Sequence, residues 1–333
     1  MDFVRLFVVD QARCLVAVDQ EADGQMNTES KESASGRSLK WLLSCLLATL
    51  TIAACGNPPY PRGSTEQLFA GSALPTISQQ VVQGQAINMA SVKNGAKTDG
   101  KGEVVGEVSG NSSANNTMLL FVHGSPGDWK AWSYYLKTPE LASFASRVAI
   151  DRPGFGNSGR GQVVTDLQQQ GKLIAALIPN GQKAIVVGHS LGGPLAVWMA
   201  INASDKVCGA ISIAGSLSSR YEEPRWYNLM ADAALLRWAV PNEMVWSNQE
   251  MMALSSELGK LEAAVSRLRT PVMLIQGGKD SLVDPRTVEE FEKYAPASWL
   301  KIKNLPNETH FVLWEKPQII VDAIKEMPCA SSP

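Results

Sequence analysis

The 333-residue chain carries 30 Lys/Arg against 32 Asp/Glu, a formal charge of −2, and is 45% hydrophobic. A chain of this size and apolar content buries a substantial core, as one large α/β domain or two smaller ones. No basic stripe is available to neutralise phosphates, which speaks against a nucleic-acid partner. No CxxC pair or His/Cys cluster marks a metal site, and nothing calls for a cofactor. The five cysteines, Cys14, Cys45, Cys55, Cys208 and Cys329, are too scattered to read as a disulfide framework. Cys208 opens an apolar run and reads most simply as a small buried side chain. A bridge from it to Cys329 would need an oxidising compartment.

Residues 1–54 carry five Lys/Arg and seven Asp/Glu, so they hold the whole net charge and leave residues 55–333 near neutral. Residues 37–40 form a short basic segment, followed by the apolar run Trp41 to Ala54. That run is shorter than the roughly 20 residues a bilayer span needs and suits the core of a signal peptide. It ends Ile52-Ala53-Ala54-Cys55-Gly56, which resembles a bacterial lipoprotein lipobox. The resemblance implies cleavage before Cys55, acylation of that cysteine and attachment to the cell envelope. Residues 1–25 sit upstream of this signal, and Met26 is the alternative start. Residues 55–84 read as a tether, because Asn57-Pro-Pro-Tyr-Pro61 is stiff and extended.

From about residue 85 short apolar runs alternate with helical patterns. Ile87–Val92 and Val104–Val108 are expected to pair as an antiparallel hairpin at a sheet edge. Met118–Val122, Arg147–Asp151, Ala184–Gly188, Val207–Ala214, Val272–Gln276 and Trp299–Ile302 follow as strands. Most are continuously apolar, as strands covered on both faces of a parallel sheet must be. Helices are expected near 129–143, 162–178, 192–203, 285–295 and 315–326. The pattern is that of a doubly wound, mostly parallel α/β sheet over residues 85–215 and 271–327. Between these halves, residues 216–270 break the alternation and read as a helical cap insertion. It contains Trp226, Trp238 and Trp246 with Met230, Met244, Met251 and Met252, and ends in an amphipathic run built on Leu254, Leu258, Leu261, Val265 and Leu268.

Chemistry concentrates at a few short segments. Gly188-His-Ser-Leu-Gly192 sits between an apolar strand and a helix, the context in which G-x-S-x-G places a nucleophilic serine on a strained turn. The helix start beyond it brings positive potential to a developing oxyanion. All three histidines of the chain lie near such punctuation: His123 in His123-Gly-Ser-Pro-Gly127, His189 beside Ser190, and His310 in a polar stretch before the last helix. His123 is expected to brace its loop, His189 to pack, and Asp151 to structure its turn.

With Asp151-Arg-Pro-Gly-Phe-Gly-Asn-Ser158 as a third motif in the right order, the chain resembles the α/β-hydrolase superfamily of serine hydrolases over roughly residues 85–327. The resemblance implies a Ser190 nucleophile, an Asp280 acid and a His310 base, with the Ser125 and Leu191 amides as oxyanion hole. Asp284 is the rival acid, though it suits capping of the helix after Pro285. Relatives that open epoxides or remove halogens carry aspartate at the elbow, so Ser190 points to acyl transfer. A small-molecule carboxylic ester with an apolar acyl or alkyl group is the expected substrate. Thioester, amide or carbon–carbon hydrolysis suit the same residues, and a non-catalytic binding lipoprotein is the reading from another class. Oligomeric state is not legible.

Overall fold

The structure is a computed structural model that describes residues 60–93, 96–98, 104–107, 115–224, 228 and 240–330. The expected signal segment, Cys55 and the Pro-rich start of the expected tether lie outside these. Among the described residues the strands are β1 (Thr76–Val82), β2 (Gln85–Lys93), β3 (Ala96–Thr98), β4 (Val104–Glu107), β5 (Asn115–Val122), β6 (Phe144–Ile150), β7 (Lys183–His189), β8 (Val207–Ile213), β9 (Val272–Gly277) and β10 (Leu300–Leu305). The helices are α1 (Thr65–Leu68), α2 (Ser133–Lys137), α3 (Leu167–Ala175), α4 (Gly192–Asn202), α5 (Asn242–Ala264), α6 (Arg286–Glu292), α7 (Val312–Glu315) and α8 (Pro317–Lys325).

Eight strands form one sheet in the order β1-β2-β6-β5-β7-β8-β9-β10. From β6 to β10 every pairing is parallel, while β1–β2 and β2–β6 are antiparallel. The chain leaves β5 for β6 on one side and then crosses to β7 on the other. The carboxyl end of β5 is therefore a topological switch point, where loops diverge and a crevice opens. Val122 at that end is in register with Ile150 on one side and Gly188 on the other. That register brings the segments after β5, β6 and β7 to one place.

The central strands are buried because helices cover both faces. Leu119, Leu120, Phe121 and Val122 of β5 are inaccessible, as are Ile185, Val186 and Val187 of β7. Helix α4 is buried at every residue from Gly192 to Ala200, so it has no polar face and no amphipathic stripe. It packs between the sheet, α3 and α5. Helix α5 joins this core through Leu254, Leu258 and Leu261. The insertion expected over residues 216–270 thus divides: the carboxyl half of α5 is a core helix, and only its first turns reach the loops at the sheet edge. Residues 225–227 and 229–239, with Trp226, Met230 and Trp238, lie outside the described residues.

Two expectations change at the amino-terminal side. The partner of β2 is β1, from Thr76↔Ser91 to Val82↔Gln85. Val104–Glu107 instead pairs with β3 in a separate two-stranded sheet. The tether expected over residues 55–84 therefore ends earlier, since Phe69 is 1% exposed and β1 belongs to the main sheet. The physical reason is that β1 is a solvated edge. Its first six residues are all exposed, so it shows neither alternation nor an apolar run. Its turn is a two-residue loop with positive φ at Gln83 (50°) and Gly84 (82°), the primed geometry that matches strand twist.

Cys208 and Cys329, 121 positions apart in sequence, are joined in a disulfide with Cα atoms 6.1 Å apart. Cys208 is thus half of a clamp between the start of β8 and the carboxyl-terminal segment, rather than an isolated core thiol. Thr117 adds a hydrogen bond to the Cys329 carbonyl at 3.0 Å. Cross-linking so long a loop restricts the unfolded chain, and Cys208→Ser is expected to cost about 2–5 kcal/mol. Urea unfolding of the oxidised protein against that variant measures it; a difference near zero would mean the bridge contributes nothing to stability.

Candidate active site

The turn after β7 is built from close approaches. A Cβ on Gly188 would lie 1.9 Å from the Gly192 carbonyl oxygen, so only glycine lets strand and helix meet here. Ser190 follows with φ of +54°, a left-handed conformation that costs a non-glycine residue about 1 kcal/mol or more. Two hydrogen bonds hold it: its N–H donates to Ile213 O at 2.9 Å, and Gly193 N–H donates to its carbonyl at 2.8 Å. The result is a half-buried serine hydroxyl at the amino end of α4.

Asp280 lies just beyond β9 and His310 just beyond β10, and both are almost fully buried. His310 Nδ1 is 2.9 Å from Asp280 Oδ2. Oδ1 of the same carboxylate accepts from the Leu282 and Val283 amides at 2.9 Å each, and Oδ2 also accepts from Gln276 Nε2 at 3.0 Å. Burial alone would raise this carboxyl's pKa. The nearby His310 and the converging donors outweigh burial and hold it below the ordinary value. An ionised Asp280 fixes the proton on His310 Nδ1 and leaves Nε2 as the basic nitrogen. The rival acid is elsewhere: Asp284 accepts from the Arg286 amide at 2.9 Å and pairs with the Arg286 guanidinium at 2.6 Å.

His189 links these two parts. Its Nε2 donates to the His310 carbonyl at 3.0 Å, and the two rings lie 4.8 Å apart at their centroids. Trp314 packs edge-on against its other side, with centroids 5.0 Å apart. Burial, with His310 close by, depresses its pKa to about 3, so it stays neutral. The serine turn and the His310 segment are therefore fastened through the residue adjacent to Ser190. Among the described residues the Ser190 hydroxyl donates to neither His310 nor Asp280, so the hydrogen bonds join acid to imidazole and not imidazole to hydroxyl.

The segment after β5 forms the facing wall. Gly124 lies against the elbow so closely that a Cβ there would be 2.8 Å from Ser190 Cβ. His123 braces this loop as expected, donating from Nδ1 to Gly124 O at 2.6 Å and accepting the Arg152 amide on Nε2 at 2.9 Å. Within the Gly124–Ser125 peptide the carbonyl and the N–H point in opposite directions. With Gly124 O held toward His123, the Ser125 N–H is turned to the other side. Among the described residues neither this amide nor that of Leu191 donates to a protein acceptor.

This order of strand, elbow, acid and histidine on a β5-centred parallel sheet matches the family described as Alpha/beta hydrolase over residues 119–323. The chain belongs to the alpha/beta hydrolase family. Over 269 residues this α/β hydrolase is 26% identical to epoxide hydrolase 3 of Xenopus tropicalis, covering 63% of this chain and 72% of that one. Over 198 residues it is 26% identical to the dihydrolipoyllysine-residue acetyltransferase component of an acetoin cleaving system of Pseudomonas putida. That match covers 50% of this chain and 53% of the other, so the α/β hydrolase spans about half the length of this relative. Among solved structures, a hydrolase from Pseudomonas aeruginosa PA01 superposes with a TM-score of 0.55 at 17% identity, covering 76% of this chain and 98% of that one. At that identity the likeness is one of fold.

Asp151 structures its turn, as expected. Its carboxylate accepts from Trp129 N–H at 2.8 Å, Asn157 N–H at 2.8 Å and Asn88 Nδ2 at 3.0 Å, tying β2 and the β5 loop to the segment after β6. Burial, with Asp128 repelling it, pushes its pKa up to about 7 despite those donors. Sequence reasoning missed two residues here, Arg152 and Glu250, which form a buried ion pair at 2.5 Å. One signal was available. Ser247, Glu250, Leu254, Glu257, Leu258 and Leu261 share one helical face at three- and four-residue spacing, which buries both glutamates. Glu257 accepts the Leu167 amide at 3.1 Å and so satisfies an otherwise orphaned N–H at the start of α3. Among the described residues no group of three or more His, Cys, Asp or Glu is placed to hold a metal ion.

Proposed function

We propose that this α/β hydrolase cleaves carboxylic esters through an acyl-serine intermediate. Ser190 Oγ attacks the carbonyl while His310 Nε2 takes its proton and later returns it to the leaving alcohol. Asp280 holds the imidazole tautomer and stabilises its charged form. The Ser125 and Leu191 amides receive the oxyanion. The observation that supports this reading best is the buried His310–Asp280 hydrogen bond, tied through His189 to the turn that holds Ser190 at positive φ. Likeness to an epoxide hydrolase does not extend to the reaction in this reading, because the elbow residue is serine. The Trp- and Met-rich composition of the segment before β9, with Trp246 and Met251, is what favours an apolar acyl or alkyl group in this reading.

A fluorophosphonate probe tests the nucleophile, followed by nitrophenyl esters of increasing acyl length. The wild type is expected to be labelled and Ser190→Ala not. Labelling that survives in the variant would end the assignment of Ser190.

The same protein is proposed to be an envelope lipoprotein anchored at an acylated Cys55. The lipobox-like Ile52-Ala53-Ala54-Cys55 supports this, as does the disulfide, since such bonds persist in oxidising compartments. Among the described residues no helix is long and apolar enough to cross a membrane, so the acyl chains would supply the attachment. Cys55→Ser is expected to move the protein from the membrane to the soluble fraction of bacterial cells. Unchanged fractionation would refute the anchor.

A further inference from the structure

The chemistry above leaves one buried charged cluster without a use. Arg152 is inaccessible and Glu250 is 2% exposed, yet the first belongs to the loop after β6 and the second to helix α5, 98 residues later. Glu250 Oε1 accepts from Arg152 Nη1 at 2.5 Å and from Gln170 Nε2 at 3.0 Å. Its Oε2 accepts from Arg152 Nη2 at 2.9 Å and from the Ser125 hydroxyl at 2.6 Å. Since that hydroxyl has one proton, already given to the carboxylate, Ser247 Oγ at 3.0 Å is the donor in the Ser125–Ser247 contact. Arg152 Nη2 reaches on to Gly124 O at 3.1 Å.

Burying an ion pair takes two charges out of water, and an apolar replacement is often equally stable or more so. Stability is therefore a poor reason for this cluster. Its contacts give a better one: they converge on a single peptide unit from both sides. Arg152 and His123 both donate to the Gly124 carbonyl, while Glu250 holds the Ser125 side chain. Together they fix the rotation of the Gly124–Ser125 peptide plane, and so the direction of the Ser125 N–H. Glu250 does so from α5, an element that belongs to neither the elbow nor the Asp280–His310 pair.

We infer that Glu250 and Arg152 are positioning residues that aim the Ser125 amide at the developing oxyanion. They touch no substrate and act through the loop. The inference rests on the proposed ester-hydrolase reading in which that amide is an oxyanion donor. It also makes the loop sensitive to α5, because any shift of the first turns of this helix carries Glu250 with it.

The test uses the full chain with a nitrophenyl ester and a trifluoromethyl ketone of matching chain length. The ketone forms a hemiketal: the Ser190 Oγ–carbon bond forms, the carbonyl π pair becomes an oxyanion, and the serine proton passes to His310. Glu250→Gln keeps the shape but loses the charge and one acceptor. It is expected to lower kcat by about tenfold to a hundredfold, less than outright loss of an oxyanion donor, with KM within about twofold. The ketone's inhibition constant should weaken by the same factor as kcat/KM, whereas a purely structural role would leave it unmoved. Unchanged kcat, or reduced kcat with unchanged ketone affinity, overturns the inference. Should Glu250→Gln fail to fold, Ser125→Ala decides, because it spares the ion pair and cuts only the loop's tie to it. It is expected to give a smaller loss of the same kind, and wild-type kcat in it would overturn the proposal. A wild type that reacts with neither fluorophosphonate nor ketone would instead refute the serine-hydrolase reading itself.

Discussion

Replacing either Ser190 or His310 with alanine is expected to lower kcat for an ester by on the order of 10^6, and replacing both is expected to cost no more than either alone. The reason is chemical interdependence. A serine hydroxyl is a poor nucleophile until a base removes its proton, and the imidazole's proton transfers serve nothing until that hydroxyl attacks. Pre-steady-state and steady-state kinetics on the two single variants and the double variant measure this directly. Additive losses would show that the two side chains act separately. Fold should survive in Ser190→Ala, because the turn is held by main-chain bonds from Ser190 to Ile213 and Gly193. His310→Ala is different in one respect: it strips one donor from a buried carboxylate that keeps Gln276, Leu282 and Val283.

Asp280→Asn is expected to reduce kcat by about 10^4 while leaving the main chain in place. The direction follows from the donors around the group. Leu282 and Val283 both aim N–H groups at Oδ1, so the asparagine oxygen must face them. Its NH2 then faces His310 Nδ1, which can only accept, and the imidazole proton is driven to Nε2, where the base is needed. The same NH2 meets a second donor, Gln276 Nε2, which contacts Oδ2 in the wild type. Acidity provides an independent check. The pKa of Asp280 lies below the ordinary carboxylate value, so its stabilising contribution is present above the unfolded value of about 4 and lost as pH falls through the lowered one. Urea midpoints should therefore differ most between wild type and variant near neutrality and converge toward pH 2. A gap that is constant with pH would mean that the charge of Asp280 does not contribute.

Much of this is legible in the sequence, for a physical reason. Strands β5, β7, β8 and β9 are buried on both faces and must be apolar throughout, and the turns after them demand glycine at fixed offsets. Asp280 follows such a strand, whereas His310 follows β10, a half-buried edge strand, and stood out as a histidine in a polar stretch before the last helix. What stayed hidden depends on contacts distant in sequence. Strand β1 is solvated and owes its place to pairing with β2, so its composition carries no signature. Arg152 and Glu250 are ordinary surface residue types whose burial makes sense only once α5 is laid against the loops after β5 and β6. The sequence offered the Cys208–Cys329 bridge only as a pairing that an oxidising compartment would permit, since two cysteines 121 residues apart announce nothing until β8 and the final segment are side by side.

That separation has a consequence for biogenesis. During synthesis or export in chain order, Cys208 emerges 121 residues ahead of its partner, as an unpaired thiol. The bond can close only after β9, β10 and the last helices have followed, and the stretch it encloses contains both Asp280 and His310. Oxidation of this cystine is therefore a late event, and its completion reports that the acid- and imidazole-bearing half of the molecule has been delivered and assembled.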